Sequence, residues 1–365
     1  MKHLYLLILT FTLSISSYGQ PNSSTRSALN PALFPFYHGV ASGDPLTDRV
    51  ILWTRITLNP PVDPVSVGWQ IATDTSFNNI IISGTTATDS TKDYTVKIDA
   101  TGLQQNTWYY YRFTYDTLKS LTGRTRTLPT GNVNKLRFSV ESRQNYQDGF
   151  YNAQRHISQR NDIDAVLFLG DYTYEGGANV NVVGDRFHEP STKTIQLADY
   201  RIRQSQYHLD PDLQAAHQQY PWICVWDDHE TANNSYTDGA KNHTISDGPW
   251  YDRKVNAVEA YFEWMPIREP DITDTFKIFR KFTWGNLADI NMMDTRLFDR
   301  SEQVTSSQYV PINDSTLNDT TRALVGPVQF NWLDNNLDTS HAQWQILGQQ
   351  IMMAPLVVPA GILAP

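Results

Sequence analysis

The chain has 365 residues, 40% of them hydrophobic, with 10 Trp, 19 Tyr and 15 Phe. That is enough apolar surface for two cored domains and few more. The net charge of −9, with no run of Lys or Arg, excludes non-specific attraction to nucleic acid or an anionic membrane, while leaving room for an anion held at one local site.

In chain order, Met1-Lys2-His3 is a short basic segment, Leu4 to Leu13 is an apolar run, and Ser17-Tyr18-Gly19 places small residues before Gln20. This is the pattern of a cleaved signal peptide over residues 1–19, and it predicts a secreted or periplasmic mature protein. With no twin arginine before the apolar run and no Cys after it, the general secretory route is expected, without a lipid anchor. The run is too short to span a bilayer, and no other segment reaches eighteen apolar residues, so no membrane span is expected in the mature protein. Residues 20–35, rich in Ser, Pro and Asn, read as a flexible leader. Cys224 is the sole cysteine, so there is no intramolecular disulfide, and its apolar neighbours predict a buried thiol.

From residue 36 to 129 the pattern is short strands: Val50 to Ile56, Val65 to Thr73, Ile80 to Thr88, Tyr94 to Ile98 and Trp108 to Tyr115, separated by turn residues such as Asn59-Pro60-Pro61 and Thr101-Gly102. Tyr109, Tyr111, Phe113 and Tyr115 alternate onto one strand face. This predicts an all-β sandwich of fibronectin type III texture. Leu128-Pro129-Thr130-Gly131 reads as a linker, and residues 136–365 change character. Leu136 to Val140, Ala165 to Leu169 and Trp222 to Trp226 read as strands; Asp148 to Gln159, with Asp148 as candidate N-cap, and Leu197 to Gln219 read as helices. Alternating strands and helices imply right-handed crossovers and a mostly parallel sheet, hence a two-domain chain ending in an α/β domain.

Parallel strands put their carboxyl ends on one edge, where such folds bind ligands. Here those ends carry Glu141-Ser142-Arg143-Gln144, then Gly170-Asp171-Tyr172-Thr173-Tyr174-Glu175, then Asp227-Asp228-His229-Glu230. Taken singly, an Asp after Gly is a turn residue, an Asp pair is solvated, and a His is hydrogen-bonded structure. Two apolar strands that each end at once in an acid, one beside a His, instead point to a bound cation, because adjacent carboxylates repel without one. Oxygen ligands favour Ca2+, Mg2+, Mn2+ or Fe3+.

At these residues the chain resembles the PhoD-like alkaline phosphatase/phosphodiesterase family of the metallophosphoesterases. The resemblance rests on Phe36 to Pro45 with Arg49 to Arg55, Gln144 to Gly149, Leu169 to Glu175, Asp199 to Arg203, Asp210 to His217, Trp226 to Glu230 with Asn233-Asn234, Met293 to Arg296 and Gln349 to Met353, in that order. It implies a metallophosphoesterase-type α/β domain after the β domain. It also implies Fe3+ and Ca2+ in the active site, and hydrolysis of phosphate mono- and diesters by a metal-activated hydroxide attacking phosphorus in line. By the same resemblance Asp171 bridges the metals, Tyr174 is a phenolate ligand to iron, Asp228 is a ligand, and His229 faces the substrate as acid or donor. Asp227 and Asn234 are weaker candidates for ligands or supporting groups, and Arg201 and Arg203 for phosphate contacts, against a reading of both as helix-surface arginines with Arg203 paired to Asp199. Asp294 and Arg296 are candidates for a buried ion pair or a site role.

Two departures stand out. Where the family has a Cys ligand after Ser142, this chain has Arg143, which cannot ligate a metal. Glu141 could take over, the metal could differ, or one metal could be lost, and Arg143 could instead grip phosphate as a bidentate fork. The family also continues to a Gly-Asp-x-His-type motif beyond the point where this chain ends, so the catalytic domain is expected to be incomplete at its C-terminus. The competing expectations are an inactive fragment, a secreted non-catalytic binding protein that keeps the fold, and a surface protein whose acids hold structural calcium.

Overall fold

A computed structural model describes residues 29–180, 182–269, 276–304, 315 and 319–352. The targeting segment and the leader up to residue 28 lie outside the described residues, as does Met353. Among the described residues no helix is long and apolar enough to cross a membrane.

The N-terminal half is a sandwich. One layer is antiparallel: β3 (Val65–Ala72) lies between β4 (Ile80–Thr88) and β6 (Trp108–Tyr115), which also pairs with β7 (Leu118–Lys119) and β8 (Gly123–Arg126). The facing layer is β5 (Thr95–Thr101), β2 (Arg49–Arg55) and β1 (Val40–Gly43). The predicted aromatic face of β6 is real: Tyr109, Tyr111 and Phe113 are buried against Val50, Leu52, Val65, Val67 and Val96. Tyr115, at the strand's end, packs at the margin of that core.

The facing layer does not stop at the linker. β1 runs antiparallel to β2 but parallel to β11 (Pro221–Cys224), with Ser42 opposite Pro221 and Gly43 opposite Trp222. β11 continues in parallel to β10 (Ala165–Phe168), and β10 to β9 (Phe138–Glu141). The six strands β5-β2-β1-β11-β10-β9 form one mixed sheet shared by both halves. This is why Val50 to Trp53 are buried without alternation: Val50 and Leu52 face the sandwich core, while Trp53 packs with Ala41 and Trp264 on the other side.

The helices differ from the sequence reading at identifiable residues. The helix expected from Asp148 is α1 (Asn152–Ser158); Asp148 closes a preceding 3-10 turn, and Gly149 breaks the chain between them. The span Leu197 to Gln219 is two helices, α2 (Leu197–His208) and α3 (Pro211–Gln219). Pro211 has no amide to continue the first helix, and Asp210 caps the second by accepting from the amides of Asp212 and Leu213 at 2.9 and 3.2 Å. Further elements are α4 (Trp250–Trp264), β12 (Arg280–Trp284), β13 (Ala288–Met292), α5 (Gly326–Asp338) and β14 (Trp344–Gly348). The last three strands make a third sheet, β12-β13-β14, in which β13 and β14 are parallel.

Candidate metal centre

The ends of β9, β10 and β11 meet on one rim. After β10 the chain turns at Gly170, whose φ of 100° lies in the left-handed region; a Cβ there would sit 2.3 Å from the Asp227 amide. Only glycine lets the β10 turn and the β11 loop approach this closely. Asp171 follows, also at positive φ, with its carboxylate buried. Tyr172 points the other way, into the core, where its hydroxyl meets His217 Nε2 at 2.8 Å. Its amide donates to Glu230 Oε1 at 2.6 Å, and Glu230 Oε2 accepts from the Asp227 amide at 2.8 Å. Glu230 therefore ties the two rim loops together through their backbones.

The two oxygens of Asp171 have different neighbours. Oδ1 accepts from the His229 amide at 3.3 Å. Oδ2 accepts from the Tyr174 hydroxyl at 3.2 Å and lies 3.3 Å from Arg143 Nη1. Asp171, Asp228 and His229 each offer a ligand atom within 4.8 Å of the others. Burial raises the pKa of Asp171, and the charge of Asp228 adds to this. Burial, followed by the charge of Asp171, pushes the Tyr174 phenol up as well, so it stays protonated unless a cation draws off its proton.

His229 is held from two sides. Its Nδ1 is 2.7 Å from Glu175 Oε2, and its ring stacks on Tyr174 with centroids 4.3 Å apart. Burial pulls the imidazole down, but the Glu175 hydrogen bond and the charges of Glu175, Asp228 and Asp171 outweigh it and hold its pKa up to about 9. Burial pushes Glu175 up, and its bonds from His229, the Asn233 amide and Asn242 overcome this and bring it to about 2. The pair is an ion pair at neutral pH.

Of the other sequence candidates, Asp227 joins the group but is claimed by arginines: Oδ1 lies 2.5 Å from Arg296 Nε and Oδ2 lies 3.7 Å from Arg143 Nη2. Arg296 also reaches Asp228 Oδ1 at 3.5 Å, so this arginine belongs to the cluster. Asp294 supports it, accepting from the Arg296 amide at 2.7 Å. Asn234 donates its amide to Asp228 Oδ2, which aims that carboxylate. Glu141 ends β9 but turns to Ser139 and Gln154, at 3.2 and 3.0 Å, and burial holds it up to about 7.

Arg201 and Arg203 are corrections. Arg201 is buried away from the rim, with Nε 2.7 Å from Glu263 Oε2 on α4. Arg203 is not paired with Asp199: it donates to the carbonyls of Glu189, Pro190 and Tyr174, while Asp199 accepts from the Ile195 and Gln196 amides. Glu175 had no assigned role in the sequence, although its place just after Tyr174 put it on the same loop. A cavity of about 860 Å³ lies elsewhere, between β5 and α4, and none of the rim carboxylates lines it.

Comparison with known proteins identifies the family. Residues 138–362 match the model of the PhoD-like phosphatase, and residues 22–129 that of the PhoD-like phosphatase N-terminal domain. The chain belongs to the PhoD-like phosphatase family. It is 39% identical over 341 residues to alkaline phosphatase D of Bacillus subtilis (strain 168), a match covering 90% of this chain and 58% of that protein. It also superposes on the solved structure of PhoD with a TM-score of 0.81 at 39% identity, covering 89% of this chain and 64% of that one. The chain thus spans less than two thirds of the length of these PhoD-like relatives.

Proposed function

We propose that the chain is the core of an exported phosphoesterase that cleaves phosphate mono- or diesters with a cation at its rim. The observation that carries this reading is the convergence of Asp171, Asp228 and His229, three candidate ligands from two distant loops. Hard oxygen donors with one imidazole suit a single divalent cation such as Ca2+ or Mn2+. Such an ion would polarise a phosphoryl oxygen and make a nearby water more acidic. The Fe3+ and Ca2+ pair expected from the family fits less well, because the ferric side would rely on Tyr174 and one oxygen of Asp171 with a guanidinium beside them.

The chain's own groups have separable tasks. Arg143, whose side chain is 59% exposed, can turn its outer N–H groups to phosphoryl oxygens. Glu175 accepts a hydrogen bond from His229 Nδ1–H, which orients the ring and leaves Nε2, once deprotonated, to ligate the cation. Arg296 offsets the charges of Asp227 and Asp228 and lets them sit side by side while buried. The segment 1–19 would direct export, with the mature chain starting at Gln20.

The test is hydrolysis of p-nitrophenyl phosphate and bis-p-nitrophenyl phosphate by metal-replete, chelator-stripped and Asp171→Asn protein. Loss of turnover in the second and third samples, restored by added metal only in the second, is expected. Equal turnover in all three would sink the reading.

A further inference from the structure

The geometry points to Arg143 standing in for one of the two cations: its guanidinium fills the Tyr174 side of Asp171, and the chain holds a single metal, at Asp171, Asp228 and His229. The inference deepens the phosphoesterase reading by naming how many ions the site takes.

The case starts from the asymmetry of Asp171. Its Oδ1 accepts from the His229 amide, and Asp228 and His229 each offer a ligand atom within 4.8 Å of one on Asp171. On its Oδ2 side are the Tyr174 hydroxyl at 3.2 Å and Arg143 Nη1 at 3.3 Å. A cation bridging Tyr174 and Asp171 Oδ2 would have to sit against a fixed positive charge that donates hydrogen bonds and accepts none. Asp227, the other carboxylate on this side, cannot relieve the conflict. Its Oδ1 is taken by Arg296 and its Oδ2 faces Arg143.

The charges agree. The carboxylates of Asp171, Asp227 and Asp228 are met by two guanidiniums, Arg143 and Arg296, each within 4 Å of two of them. One divalent ion then brings this group close to neutrality before an anionic substrate arrives, whereas a trivalent and a divalent ion together would leave a large positive excess. The backbone keeps Arg143 in place: its φ is 61° and its amide donates to the Gly170 carbonyl at 3.1 Å, so the side chain leaves the β9 turn directly over Asp171.

The experiment compares the wild-type chain with Arg143→Cys and Arg143→Gln. Each chelator-stripped protein is titrated with Mn2+ alone by calorimetry. Each is also incubated with ferric citrate, desalted, assayed for iron by mass spectrometry and scanned for a visible tyrosinate-to-iron band. Wild type is expected to bind one equivalent of Mn2+ and to show no such band. Arg143→Cys is expected to bind a second ion and develop the band, and Arg143→Gln, which removes the charge without adding a ligand, to gain less than Arg143→Cys. Two equivalents or a tyrosinate band in wild type would overturn the inference. So would an Arg143→Cys protein with wild-type stoichiometry and no band, or no metal uptake by any of the three. The readout is bound metal, so an active enzyme that holds two ions would refute this inference and leave the phosphoesterase reading standing.

Discussion

Behind the rim, three of the four histidines buried among the described residues lie together, and their response to acid can be worked out. His38, His208 and His217 are buried between β1, α2 and α3, among Trp53, Trp222 and Trp264. His208 Nδ1 donates to the Gln204 carbonyl at 3.0 Å, and its ring lies 5.0 Å from Trp53. Burial lowers its pKa from 6.5 to about 4, partly opposed by the Gln204 bond. The folded value lies below the unfolded one, so the unfolded chain binds the extra proton first. The contribution is intact above pH 6.5, is lost as pH falls, and stops falling near pH 4, where the folded form also protonates. Between pH 7 and 5 the loss from His208 alone comes to about 2 kcal/mol. His38 and His217 are lowered by the same burial and add losses of the same sign. The assay is urea unfolding followed by Trp fluorescence at pH 7 and 5, in wild type and His208→Gln. The variant is less stable at pH 7 because it loses the ring packing, but its deficit is expected to narrow by about 2 kcal/mol at pH 5. Parallel pH dependences in the two proteins would refute the premise that the buried ring is neutral.

Further expectations concern single contacts. Glu175→Gln keeps a partner for the Asn233 amide but removes the charge beside His229, and kcat/KM should fall about 10- to 100-fold, as when a group orienting a site histidine is lost; an unchanged rate and pH profile would count against its role. Asp44→Ala strips both oxygens from Arg280, paired at 2.6 and 2.8 Å, and should cost roughly 3–5 kcal/mol in urea unfolding, with a cost under about 1 kcal/mol contradicting the burial of this pair. Gly170→Ala puts a Cβ 2.3 Å from the Asp227 amide at a left-handed φ, and should cost roughly 2–5 kcal/mol and weaken Mn2+ binding together, since one clash disturbs both loops.

What could be read from the sequence followed chemistry that is local in the chain. The strands β4 and β6 coincide with the sequence reading because alternation and turn residues mark them. The rim acids were legible because each follows directly on an apolar strand. The partners of those acids were not. Arg296 reaches Asp227 from beyond β13, and Asn242 reaches Glu175 across the fold, and no spacing rule announces such pairs. Arg201 and Arg203 misled because an arginine on a helix looks the same whether it meets phosphate, Glu263 or a row of carbonyls. The strand β1 was missed because four residues, Val-Ala-Ser-Gly, carry little β signal; its identity comes from the neighbours it pairs with.

That short strand decides how the two halves work together. Had the sandwich been a separate module on a linker, its position relative to the rim would have been set by a modest interface. Instead, β1 lies in the sheet between β2 of the sandwich and β11, the strand that leads to Asp227, Asp228 and His229. The registry is pinned where β1 ends: the Asp44 amide donates to the Trp222 carbonyl at 3.1 Å, and Arg280 bridges the Asp44 carboxylate to the Cys224 carbonyl at 2.8 Å. Gly43 allows this approach, since a Cβ there would lie 2.2 Å from the Pro266 carbonyl oxygen. The loop that carries the candidate metal ligands therefore takes its position from backbone hydrogen bonds and a buried ion pair with the N-terminal half. Sub-ångström placement of ligands needs supports of this kind, and for this site the sandwich supplies one wall of the scaffold.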